Sequence, residues 1–294
     1  MCRHLAYLGP VVPLSELLFG PPYSLYRQSW APRRQTHGTV NADGFGIGWY
    51  PPDGDSAPAR YRCAMPIWRD PNLPDLARTI SSGAAVAAVR DATPGTSLDS
   101  SANAPFSSGR WLFSHNGAVP EWRRLTEDLG SPLPESALLG LEASSDSALL
   151  WALIQQRLTG GEQLDAALAT VTGLTAALRP QSRLNLLLTD GHSIAATRWG
   201  DSLWYRATPG RVLVASEPDT GPTPKPAPKP AREPTPKPTT TPTSRPLTPV
   251  PGRRCRSTRC CWQPRPRSGS PPCRRSPPGP LRRGWLAHDD HLHA

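Results

Sequence analysis

The sequence predicts a layered α/β sandwich, and three observations carry that reading. Strand-like runs come first, two adjacent helical stretches follow, and a second set of strand-like runs comes after them. That order suits stacked layers of sheet and helix rather than parallel βαβ repeats. No internal repeat interrupts it within the first 220 residues.

Residues 2–8, CRHLAYL, read as a short strand with mixed alternation. PLSELL at 13–18 is a brief helix, stopped by Gly20-Pro21-Pro22. Residues 43–50, DGFGIGWY, read as a glycine-rich strand whose missing side chains permit close backbone approach. A helix is expected at 75–81, and AAVAAV at 84–89 is a buried strand ending at Arg90. Trp111-Leu112-Phe113 is another strand, running into Ser114-His115-Asn116-Gly117, where the chain is expected to turn. Ser145-Asp146 opens the strongest helix, ALLWALIQQRL, with a side-chain acceptor at the cap. A second helix, roughly 161–178, is amphipathic, with Leu164, Leu168, Val171 and Leu174 at helical spacing. Three strand-like runs follow at 184–189, 193–199 and 212–216.

Charge divides the chain. Residues 1–220 hold 18 Lys/Arg against 20 Asp/Glu, whereas residues 221–294 hold 15 against 3, which together give the net +10. The last 74 residues also carry 19 of the 38 prolines. The basic pI therefore belongs to the tail, and the slightly acidic body shows no basic stripe of the kind that binds nucleic acid. TPKPAPKPAREPTPKP is a polyproline-type spacer, and the Arg/Pro/Ser/Cys text beyond it cannot bury enough surface to offset its ordering entropy. We expect one domain over 1–220 and a disordered Pro/Arg-rich tail over 221–294, either genuine or an out-of-frame ending. The body's two cysteines, Cys2 and Cys63, are too few for a disulfide scaffold. With neither a membrane-length apolar run nor a signal-peptide pattern, the expectation is a soluble cytoplasmic protein.

Four features bear chemistry. Trimming of Met1 would expose the α-amine of Cys2, whose reference pKa near ~8 leaves an appreciable neutral fraction able to take the thiol proton. The Asn116 amide and the Gly117 N–H can converge on a developing oxyanion. Arg90 closes an apolar strand, where a lone cation is expensive unless it meets an anion such as a carboxylate. Asp146, at a helix start, can accept from an α-ammonium group. Singly, each reads as well as something plainer: an ordinary N-terminal cysteine, an Asn-Gly turn, an ion pair, a helix cap. His115 is grouped with Arg90 and Asp146 as substrate-binding, where it is expected to orient the turn. His37, His115 and Cys63 lack zinc-like spacing, and the late Cys255, Cys260, Cys261, Cys273 and histidines match no zinc pattern.

In order, N-terminal Cys, Arg after a buried strand, His-Asn-Gly and Ser-Asp at a helix start resemble the class II glutamine amidotransferases. CRHLAYLG, APRRQTHGTVNADGFGIGWY, AAVRDATPG, NAPFSSGRWLFSHNG, RLNLLLTDG and VLVASEP carry the resemblance over roughly residues 1–218, and they are similar to the ergothioneine-biosynthesis branch of that family. It implies the four-layer αββα sandwich of the N-terminal-nucleophile hydrolases and cleavage of a γ-glutamyl amide. It further implies Cys2 as nucleophile and its amine as base, Asn116 and Gly117 as the oxyanion hole, and Arg90 and Asp146 as the glutamyl clamp. No metal or organic cofactor is implied, and the partner is a small-molecule γ-glutamyl substrate. Two departures stand out. The acidic stretch, Trp and final strand that usually follow the ASEP segment are absent, and Asp91 and Pro94 suit a loop shaped for a substrate other than glutamine. The alternatives are a glutaminase subunit feeding ammonia to a separate synthase, and an inactive binding module. For a leaving group bearing a trimethylammonium, Tyr23, Tyr26, Trp30, Trp49 and Tyr50 are candidate aromatic faces.

Overall fold

A computed structural model describes residues 2–52, 57–93, 95–130, 133–220, 253–254 and 260–262. In chain order its elements are β1 (Arg3–Pro13), α1 (Leu14–Leu18), α2 (Leu25–Gln28), β2 (Phe45–Trp49), β3 (Ala59–Cys63), α3 (Leu73–Thr79) and β4 (Ser81–Val89). Next come β5 (Phe106–Ser108), β6 (Trp111–Ala118), α4 (Leu125–Asp128), α5 (Glu135–Leu139), α6 (Asp146–Thr159) and α7 (Leu164–Leu178). The remaining strands are β7 (Arg183–Thr189), β8 (Ile194–Thr197), β9 (Trp204–Thr208), β10 (Arg211–Ala215), β11 (Arg253–Arg254) and β12 (Cys260–Trp262). They form two antiparallel sheets, ordered β11-β9-β10-β1-β4-β2-β3 and β12-β8-β7-β6-β5.

Side-chain parity sorts the core into layers. Along β1, Leu5 and Tyr7 join Leu14, Leu17 and Leu18 of α1 and Leu73 of α3 on the outer face of the first sheet. Ala6 and Leu8 point the other way, meeting Leu112 of β6 and Leu187 of β7 between the sheets. On the far side of the second sheet, Phe113, Leu184, Leu186 and Leu188 pack against Leu150, Trp151 and Ile154 of α6 and Leu168 and Val171 of α7. The result is helix, sheet, sheet, helix: the expected four-layer αββα sandwich. Among the described residues no helix is long and apolar enough to cross a membrane.

Several sequence expectations shift. The first strand runs to Pro13 and not to Leu8, because β4 lies beside it as far as Pro13↔Ser81. The helix expected at 75–81 occupies 73–79, since Ser81 already pairs in β4. Helix α7 starts at Leu164 and not at 161, because Gly161 sits in the left-handed region at φ 89°. Ser114-His115-Asn116-Gly117 is not a turn but the end of β6, paired with β7 through Asn116↔Asn185 and Gly117↔Leu184. Strands β3 and β9 were not expected: both are half-buried, with arginines among their residues, and lack clean alternation. Within the tail expected to be without structure, β11 and β12 extend the two sheets. Open sheet edges bind any extended backbone through N–H and C=O groups, a bond for which apolar periodicity gives no signal. The rest of 221–294 lies outside the described residues.

Candidate active site

The parity that builds the inter-sheet layer also builds the site. His4, two residues after Cys2, faces β6, where its Nδ1 lies 3.0 Å from Ser114 Oγ. On β4 the inward set is Ala84, Val86 and, by the same alternation, Arg90. On β6 it is Leu112, Ser114 and Asn116. Cys2 and Arg90 from the first sheet and Asn116 from the second thus point into the same inter-sheet layer.

Cys2 keeps part of its surface exposed, and its Sγ–H donates to the Asp91 carbonyl at 3.8 Å. Burial of the sulfur pushes the thiol pKa up; the Asp91 contact, the nearby N-terminal charge and Arg90 oppose that, and Asp146 adds to it. A thiol held protonated needs a base to attack. The charges of Arg90 and Asp146 reach this sulfur with opposite sign.

Arg90 is buried, and its backbone is fixed by N–H donation to Gly44 O at 2.8 Å and acceptance from Asp43 N at 2.9 Å. One terminal nitrogen donates to Thr96 Oγ1 at 3.0 Å, while the other is buried with no hydrogen-bond partner among the described residues. A buried cation with an unused donor is a ready receptor for a carboxylate. Asp146 stands at the first position of α6, after Ser145 caps the helix by accepting from Ala148 N at 3.2 Å. Its Oδ2 accepts from Val119 N at 2.9 Å and its Oδ1 from Ser147 N at 2.7 Å. These bonds fix the carboxylate and leave lone pairs for a further donor.

Asn116 is fully buried, donating through Nδ2 to Ser216 Oγ at 3.0 Å. Ser216 Oγ also accepts from His4 N at 2.9 Å, so β1, β6 and the end of β10 meet at one hydroxyl. Gly117 must be glycine: a Cβ there would lie 1.8 Å from Arg183 O and 2.6 Å from His115 Nε2. His115 faces away from the inter-sheet layer. Its Nε2 lies 2.9 Å from Arg183 O, which only accepts, so Nε2 donates there, and Nδ1 lies 3.0 Å from Ser147 Oγ. Both nitrogens are committed within the protein, so His115 holds β6, β7 and α6 together and offers no nitrogen to a ligand. His4 is neutral: burial, with Arg3 and His115 adding to it, holds its pKa well below the usual imidazole range.

The aromatic candidates separate. Trp49 pairs with Ala85, four residues along β4 from Phe45↔Val89, which puts it about 13 Å from the Arg90 end. Tyr50 lies beyond it and is buried, donating to Arg110 O at 2.7 Å and Thr189 O at 3.0 Å. Tyr26 and Trp30 stack edge-on in a chain with Phe19 and Trp68, and Tyr23 carries the Arg33 guanidinium 3.3 Å above its ring. A cleft of about 440 Å3 between β5, α5 and α6 contains none of the site residues.

Sequence reasoning missed Ser216, Ser147 and His4. Ser216 sits inside the ASEP segment with no chemical signature of its own, and only the sheet pairing brings it to Asn116. His4 was legible in principle, because residues two apart on a strand share a face.

A half-buried Cys2 heads β1 of this sandwich, with Arg90 and Asp146 both buried. The family description for class II glutamine amidotransferases matches residues 21–221, and the chain belongs to that family. It is 42% identical over 219 residues to the gamma-glutamyl-hercynylcysteine sulfoxide hydrolase of Mycolicibacterium smegmatis, covering 74% of this chain and 88% of that one. To the protein of the same name from Mycobacterium tuberculosis strain CDC 1551 it is 41% identical over 218 residues, covering 74% and 85%. Among solved structures, the glutamine phosphoribosylpyrophosphate amidotransferase of B. subtilis is similar in fold, with a TM-score of 0.52 at 17% identity over 74% of this chain and 42% of that one.

Proposed function

We propose that this chain hydrolyses the γ-glutamyl amide bond of γ-glutamyl-hercynylcysteine sulfoxide, releasing glutamate and hercynylcysteine sulfoxide. The observation that carries the reading is the buried, half-satisfied Arg90 beside the Cys2 thiol, in a chain over 40% identical to hydrolases of that name. Once Met1 is removed, the Cys2 α-amine takes the thiol proton and the sulfur attacks the γ-carbonyl. The Asn116 amide and Gly117 N–H stabilise the oxyanion. The amine leaves with the proton, and water, deprotonated by the same α-amine, releases glutamate from the thioester. Arg90 grips the α-carboxylate and Asp146 the α-ammonium, fixing the γ-carbon over the sulfur. His115 acts by holding the end of β6 in place.

The catalytic unit is proposed to end near residue 220, where Asp219 closes the body by pairing both carboxylate oxygens with Arg206 at 2.8 Å. Free Cys2 and Cys63 suit a reducing cytoplasm. The body's slight net negative charge gives a nucleic acid no purchase.

The test is covalent capture. A glutamine analogue with a diazomethyl ketone in place of the amide should add one equivalent to the Met1-free protein, on Cys2. Protein bearing a blocked N-terminal extension should remain unlabelled. Labelling elsewhere, or equal labelling of the extended protein, would contradict the mechanism.

A further inference from the structure

Arg3 follows the nucleophile directly, and its side chain is fully buried. Parity turns it away from the inter-sheet layer, to the face that carries Leu5 and Tyr7. Its Nε–H donates to the Cys2 carbonyl at 2.9 Å, while neither terminal nitrogen has a hydrogen-bond partner among the described residues. An uncompensated guanidinium would be strongly destabilising at such depth. The compensation comes from across the sheet. The β1–β10 register includes Leu5↔Ala215, and Ser216 N donates to His4 O at 3.0 Å, so Arg3 stands opposite Glu217. Glu217 is fully buried too, accepting the Arg33 N–H at 3.0 and 3.2 Å. Asp201 is the second acid acting on Arg3, itself held by the Thr36 hydroxyl at 3.2 Å and by Arg183 at 3.2 Å.

An apolar pair would fill that space at lower cost, so the charge calls for a use. Covalent geometry places the nitrogen of Cys2 about 3–4 Å from its own carbonyl oxygen, and hence within about 7 Å of the guanidinium Nε that bonds that oxygen. Resting on the reading of Cys2 as an N-terminal nucleophile, we propose that Arg3 is a positioning residue that pins the Cys2 carbonyl and, by its charge, keeps the Cys2 α-amine neutral and ready to accept the thiol proton. The other groups facing Cys2 are Arg90 from the end of β4, Asp146 from α6, neutral His4 from β1 and the Asp91 carbonyl. Bound glutamyl substrate answers the charges of Arg90 and Asp146. Arg3, sealed on the opposite face, is the cation whose influence on the amine persists through turnover.

The acid limb of kcat/KM against pH reads the amine of the free enzyme. A cation beside an amine lowers its pKa, so removing Arg3 raises it. At about 6–7 Å in an effective dielectric of about 20 a unit charge is worth about two pH units. Arg3→Met leaves Glu217 in place and should therefore move the limb upward by about two units. Glu217→Gln removes the opposing anion and should move it downward. Arg3→Lys keeps the charge, so its limb should stay near wild type while the plateau falls. Arg3→Met/Glu217→Met removes both charges of the facing pair, serves where a single variant fails to fold, and should lie about one unit above wild type, because the lost anion offsets part of the lost cation. Limbs within about 0.2 pH unit of wild type in the folded charge-removing variants, with only a uniform loss of rate, would overturn the proposal. Activity that survives Cys2→Ala would instead overturn the nucleophile itself.

Discussion

Substituting Gly117 by alanine probes the joint between fold and chemistry. The new Cβ would meet Arg183 O at 1.8 Å and His115 Nε2 at 2.6 Å, against an ordinary contact of 3.4 Å or more. β7 must move away by more than an ångström at Gly117↔Leu184, and the His115–Arg183 hydrogen bond breaks with it. Overpacking costs about 1–3 kcal/mol and the lost hydrogen bond about 1 more, so about 2–4 kcal/mol is expected. For a body of this size that lowers Tm by about 4–16 °C. Asn116 shares the displaced strand end, so kcat should fall about a hundredfold even below the melting transition. Circular-dichroism melts and steady-state rates at 20 °C on the same preparation separate the two effects. A Gly117→Ala protein that melts within 1 °C of wild type and turns over within twofold would refute the reasoning.

Arg90→Lys replaces a two-pronged donor by a point charge, and kcat/KM should fall about 10–100-fold, mostly through KM; a change within twofold would make Arg90 structural. Buried His4 is held neutral, with its folded pKa below its unfolded one, so its contribution is complete above pH 6.5 and declines as pH falls from there toward the folded value. Urea titrations from pH 7.5 to 5 should show stability falling by up to about 1.4 kcal/mol per pH unit from this group, and a His4→Gln variant should show a flatter decline. Among the described residues, a chain truncated after Thr220 loses the backbone pairings of β11 and β12, and it should keep kcat/KM within twofold. An unfolded truncated protein would show that those two strands are integral to the sheets.

What was legible in the sequence follows from how locally each feature is written. Helix α6 announced itself through Ser145 and a long apolar run, and β4 through its unbroken small apolar residues. Cys2, Arg90, Asn116, Gly117 and Asp146 were picked out because their order resembles that of the class II glutamine amidotransferases, and the roles proposed for them rest on that resemblance. The supporting contacts were not picked out. Ser216 reaches Asn116 from 100 positions away, and Glu217 meets Arg3 only through sheet register. The expected turn at 114–117 failed because an Asn-Gly pair signals a turn only when nothing longer-ranged claims the strand. Here the absent Gly117 side chain lets Arg183 approach and the ladder continue.

The most direct test of the central claim compares two substrates on one protein. Purified, Met1-free enzyme and its Cys2→Ala variant should be assayed with γ-glutamyl-hercynylcysteine sulfoxide and with glutamine, following glutamate release. The account predicts kcat/KM for the sulfoxide at least about a hundredfold above that for glutamine, and no turnover of either by the variant. Equal or faster hydrolysis of glutamine would contradict it and assign the chain as an ammonia-supplying glutaminase.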